Sequence, residues 1–77
     1  MPSKTIWLTD PEAGRYPFPY AIGERLKAPA RKAEGIVRNA KYSGPEHGGP
    51  CWILYYIETD EGDVLKIPLA DLERSYL

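Results

Sequence analysis

Turn-forming and helix-breaking residues cut this chain into short pieces, and that pattern constrains its fold more than any other feature. Pro2, Pro11, Gly14, Pro17 and Pro19 all fall within the first twenty residues. Such a density rules out a long helix and favours an extended arm with one short strand over 5–8. Segment 43–50, Ser-Gly-Pro-Glu-His-Gly-Gly-Pro, holds three glycines and two prolines and reads as a loop. Between these breaks lie strand-like runs. Residues 21–27 read as a strand start. Pro29 makes 28–33 a loop, because proline has no place in a central strand. Residues 34–42 form a second run, and Gly35 at its head predicts a bulge or a close backbone approach. Residues 51–57, Cys-Trp-Ile-Leu-Tyr-Tyr-Ile, are rich in aromatic and branched side chains and bounded by turns, the signature of a strand.

The next hairpin can be registered from its faces. A three-residue loop, Asp60-Glu61-Gly62, puts Gly62 in the left-handed position that such loops require. It pairs Ile57 with Leu65 and Tyr55 with Ile67, leaving Tyr56, Glu58, Val64 and Lys66 on the opposite face. A two-residue loop would mix charge and core on both faces, so the longer loop is preferred. Ile53, Tyr55, Ile57, Leu65 and Ile67 are the expected core. Pro68 ends that strand, Leu69-Ala-Asp-Leu72 allows one helical turn, and a last strand over 73–76 closes the sheet. The expected fold is all-β, a small SH3-like barrel of about five short strands with one helical turn before the last. The Pro-rich arm, 1–20, carries Trp7, Tyr16, Phe18 and Tyr20 and is expected to pack on the barrel, 21–77, or on a neighbouring subunit.

The chain has 77 residues, one cysteine and one histidine, so neither an internal disulfide nor a Cys/His metal cluster is available to staple a small core. Self-association is the remaining route. No apolar run approaches the roughly 20 residues of a membrane span, and the first residues lack the apolar core of a secretory signal, so a cytoplasmic location without a membrane partner is expected. His47 and Cys51 flank the Gly-rich loop, but their spacing fits no nucleophile signature. Asp60, Glu61 and Asp63 lack the ligand count of a calcium loop. No cofactor is implied.

A net charge of −1 hides an uneven distribution. Between 23 and 42 stand Arg25, Lys27, Arg31, Lys32, Arg38 and Lys41 against two acids; beyond 42 stand seven acids against Lys66 and Arg74. The basic group, interleaved with Tyr20 and Tyr42, suits phosphate backbones and stacked bases. The alternative is a surface whose counter-charges come from the acidic half once the sheet closes. Trp7, Trp52 and Tyr56 are candidate interface aromatics, since alternation turns Trp52 and Tyr56 away from the Ile53/Tyr55/Ile57 face; the alternative is that the N-terminal arm folds over them and makes a second small core.

The run Gly23-Glu-Arg-Leu26, the pair Ile36-Val37, and the closing set Gly62, Val64, Pro68, Ala70, Leu72, Glu73 and Arg74 resemble the plasmid-encoded type II dihydrofolate reductases, over roughly residues 20–75. The resemblance implies an SH3-like barrel and symmetric self-assembly. That family lines a central pore of a homotetramer with a Gln-Ile-Tyr triplet just before the proline, where this chain has Leu65, Lys66 and Ile67. The family's functional lysine falls on Ala28. The resemblance thus carries the fold and the assembly, without the active-site residues. Three functions follow as expectations: a non-enzymatic module binding a protein partner or itself, a divergent oligomeric reductase-like enzyme using Lys66, and a nucleic-acid binder using 25–41. The first is favoured, with Lys66, Tyr56, Trp52, Trp7, Arg25, Lys27, Arg31 and Lys32 as candidate binding residues.

Overall fold

A computed structural model describes residues 3–45 and 52–75. Six strands, β1 (Ser3–Trp7), β2 (Arg25–Ala28), β3 (Ala33–Pro45), β4 (Trp52–Thr59), β5 (Val64–Pro68) and β6 (Glu73–Arg74), form one sheet. Every pairing in it is antiparallel, in the order β5-β4-β3-β2-β6, with β1 also on β3. The other described residues form turns, irregular segments and three single 3₁₀ turns, one of them Leu69–Asp71 before the last strand. The all-β expectation stands. The strands are not uniformly short, because β3 runs for 13 residues.

β3 organises the sheet. Along one edge its first part pairs with β2 and its last part with β1; along the other edge it pairs with β4 from Gly35 to Ser43. Two devices let one strand serve both neighbours. Gly35 lacks the side chain that would collide with the Glu58 carbonyl and with Ile57 Cγ2 at 2.8 Å, so the close approach expected at this glycine is present. The bulge lies further on, between Val37 and Asn39. There the Ala40 N–H donates to Asn39 Oδ1 at 2.8 Å. The extra residue lets Val37 and Ala40, three positions apart, both face inward, where strict alternation would expose one of them.

The β4–β5 hairpin has the registered pairing, with Tyr55 opposite Ile67, Tyr56 opposite Lys66 and Ile57 opposite Leu65. Gly62 closes its three-residue loop at φ 91°, its N–H donating to the Thr59 carbonyl at 2.9 Å. Upstream, β2 begins at Arg25 rather than at 21. Gly23 adopts φ 89° and turns the chain, leaving Ile22 48% exposed.

The core is Leu26, Ala28, Val37, Ala40, Tyr55, Ile57, Ile67 and Leu72, with Ile53 and Leu65 partly buried against it. The Pro-rich arm packs onto this core through Leu8, Phe18 and Tyr20, and Ile6 and Ala13 are themselves buried. One side chain fastens the arm. The Tyr55 hydroxyl accepts the Tyr20 N–H and donates to the Tyr20 carbonyl, each at 3.0 Å, and Tyr20 meets the Tyr55 ring edge-on at 5.7 Å. Burial pushes the Tyr55 hydroxyl pKa up, so it stays a donor across the physiological range.

A candidate interaction face on the outer side of the sheet

Alternation sends one set of side chains into the core and the other to the outer face. Cross-strand partners share a face, so the rows read directly from the register. Trp7, Lys41, Leu54 and Pro68 form one row across β1, β3, β4 and β5; Asn39, Tyr56 and Lys66 form the next; Thr5, Ser43 and Trp52 form a third. The Trp7 and Tyr56 rings meet diagonally at 5.6 Å with an interplanar angle of 45°. Lys41 Nζ lies 5.7 Å from the Trp7 ring and Lys66 Nζ 5.9 Å from the Tyr56 ring, distances at which ring quadrupole and cation attract weakly. The result is a diagonal string of cation, indole, phenol and cation.

Trp52 stands apart from that string and is 74% exposed. With Ile53, Pro68, Leu69 and Ala70 it walls a shallow apolar cleft of about 400 Å³. Val64, on the same face, is 56% exposed. A large exposed aromatic beside other apolar surface is the composition of an interface centre.

The basic candidates are placed differently. Arg25 Nε donates to Glu34 Oε2 at 2.5 Å, and its other nitrogens reach Asp60. Those bonds, to Asp60 first and then Glu34, hold the guanidinium above its ordinary pKa. The Glu34 carboxyl, bonded by Arg25 and by the Ser75 hydroxyl at 3.0 Å, is held below its ordinary value. Lys27 pairs with Glu73, Arg31 with Asp71 and Arg38 with Glu58. The acidic half does supply counter-charges to the basic segment. Among the described residues Lys32, Lys41 and Lys66 form no ion pair, and they do not lie together: Lys32 ends the β2–β3 turn, while Lys41 and Lys66 are on the outer face.

The structure thus gathers four of the eight candidates, Trp7, Trp52, Tyr56 and Lys66, on one face and uses three others, Arg25, Lys27 and Arg31, in ion pairs. Lys41 joins the face as a residue that sequence reasoning assigned only to the basic segment. The signal for it was its parity with Trp7, which becomes readable once β1 is set against β3. Among the described residues no group of three His, Cys, Asp or Glu is placed to hold a metal, and no helix is long and apolar enough to cross a membrane. His47 and Cys51 lie outside the described residues. No protein family, curated protein or solved structure matches the chain.

Proposed function

We propose that this chain is a non-enzymatic interaction module, an SH3-like barrel that binds a protein partner or a second copy of itself through the outer face of its sheet. One observation carries the reading: Trp52, 74% exposed, shares a face with the Trp7–Tyr56 pair and two cations, Lys41 and Lys66, that form no ion pair among the described residues. A domain this small gains little by leaving an indole in water, and desolvating such a ring on association is strongly favourable. The strand order and the 3₁₀ turn before the last strand support the SH3-like part of this reading.

The reductase reading has less support. At the positions of that family's triplet, Ile67 is buried in the core and Leu65 is half-buried beside it, so only Lys66 is exposed. The nucleic-acid reading loses most of its charge to the ion pairs of Arg25, Lys27, Arg31 and Arg38. It predicts binding that falls steeply with salt, which a gel shift at low salt tests.

Light scattering over a concentration series, with capture of partners from lysate, tests the module. The expected result is association that Trp52→Ala removes. A strict monomer that retains no protein overturns the reading.

A further inference from the structure

β5 ends the sheet, and among the described residues no strand pairs with its outer edge. The hairpin geometry fixes which backbone groups that edge offers. The Thr59 N–H donates to the Asp63 carbonyl at 2.8 Å and the Gly62 N–H to the Thr59 carbonyl, so Thr59 and Asp63 are a hydrogen-bonded pair. Bonded and non-bonded pairs alternate along an antiparallel ladder. Leu65 and Ile67 therefore turn their N–H and C=O groups toward β4, and Val64 and Lys66 turn theirs away from the sheet. Pro68 follows in the outward-facing set, where its missing N–H costs the ladder nothing.

Side chains along this edge change character in order. Glu61 and Asp63 are exposed at the hairpin tip, and neither forms an ion pair among the described residues. Lys66 projects from the outer face at mid-strand. Beyond Pro68 comes the apolar cleft walled by Trp52, Leu69 and Ala70. Acid, base and apolar cleft thus succeed one another along a strand edge with free backbone donors and acceptors.

We infer that β5 accepts one extended segment of a partner protein, added antiparallel as a further strand. This rests on the module reading and names its occupant. On the outer face that segment carries an apolar residue at the Trp52 cleft, an acidic residue opposite Lys66 and a basic residue beside Val64, next to the acidic hairpin tip of Glu61 and Asp63; its intervening residues are apolar and lie beside Ile67 and Leu65. Main-chain bonds to Val64 and Lys66 supply affinity, and the alternating side chains supply selection. A second copy of β5 is a poorer occupant. The register that centres β5 on its copy opposes Lys66 to Lys66 and sets the Val64 edge groups against Pro68, with a like-charge pair and a lost donor.

The probe is a capped peptide with the core Leu-Val-Glu-Val-Lys flanked by serines, titrated into the intact protein at low salt. The expected result is binding that weakens about tenfold when the Glu and Lys amides of the peptide are N-methylated, the loss of two backbone bonds. Lys66→Glu weakens the probe, and a peptide with Lys in place of Glu regains binding to that variant. Amide exchange at Val64 and Lys66, fast in the free protein, slows on adding peptide; Leu65 and Ile67 are slow throughout. Undiminished binding of the N-methylated peptide overturns the strand addition. Protection of Val64 and Lys66 that rises with protein concentration alone overturns the choice of occupant in favour of a second copy. If the probe fails while Trp52-dependent capture of a partner persists, the edge assignment falls and the module stands.

Discussion

Gly35 sits where β2, β3 and β4 crowd together, and a methyl group there would meet the Glu58 carbonyl and Ile57. Backbone cannot yield as a flexible side-chain tip does, so Gly35→Ala should cost about 3 kcal/mol, read as a lower urea midpoint. Tyr55→Phe keeps the ring and removes the hydroxyl that satisfies both backbone groups of Tyr20. A loss of about 1–3 kcal/mol is expected, with faster amide exchange at Tyr20. At Glu34 the sign of the pH effect follows from its lowered pKa. A carboxyl held below its unfolded value stabilises the fold above that value and loses the contribution as pH falls through the folded one. Glu34→Gln should therefore lower Tm at neutral pH, and its deficit should shrink as the pH drops below the carboxylate range. Gly35 was legible as a special backbone position, a bulge or a close approach, because a glycine heading a strand leaves few alternatives. The Tyr55–Tyr20 bond was not, since nothing local links residues 35 positions apart.

At the scale of elements, the β4–β5 hairpin was the most legible part. Its two faces separate cleanly under only one register, and Gly62 supplies the left-handed turn that register needs. Gly62→Ala should cost about 1–2 kcal/mol, measured by thermal unfolding, because φ 91° strains any other residue. Of the two readings of Gly35, a bulge or a close backbone approach, the structure has the close approach, and the bulge in β3 occurs at Arg38. An inward requirement at both Val37 and Ala40 sets it, together with the Asn39 side chain that satisfies the Ala40 amide. Neither cause is visible before β4 is in place. Likewise the alternation of β4 announced that Trp52 and Tyr56 face outward, but the contact of Trp7 with Tyr56 depends on β1 adding to β3 across most of the chain.

For the whole molecule, the division of charge along the sequence became a set of ion pairs across the sheet rather than a basic pole. The candidate basic surface is thereby reduced, and the outer face, where Trp52 stands 74% exposed beside the half-buried Trp7–Tyr56 pair with Lys41 and Lys66, is the stronger candidate for association. A lysine at this place on an edge strand disfavours indiscriminate pairing, and under the strand-addition proposal Lys66 would face an acidic residue of the added segment. A face that serves association rather than folding can be altered without unfolding the protein, so Trp52→Ala should change stability by less than about 0.5 kcal/mol. The most direct measurement compares the native chain with Trp52→Ala by light scattering and partner capture, with Tm recorded for both. The interaction-module account predicts association in the native chain, its loss in the variant, and an unchanged Tm. Equal behaviour of the two proteins, both monomeric and both retaining no partner, contradicts it.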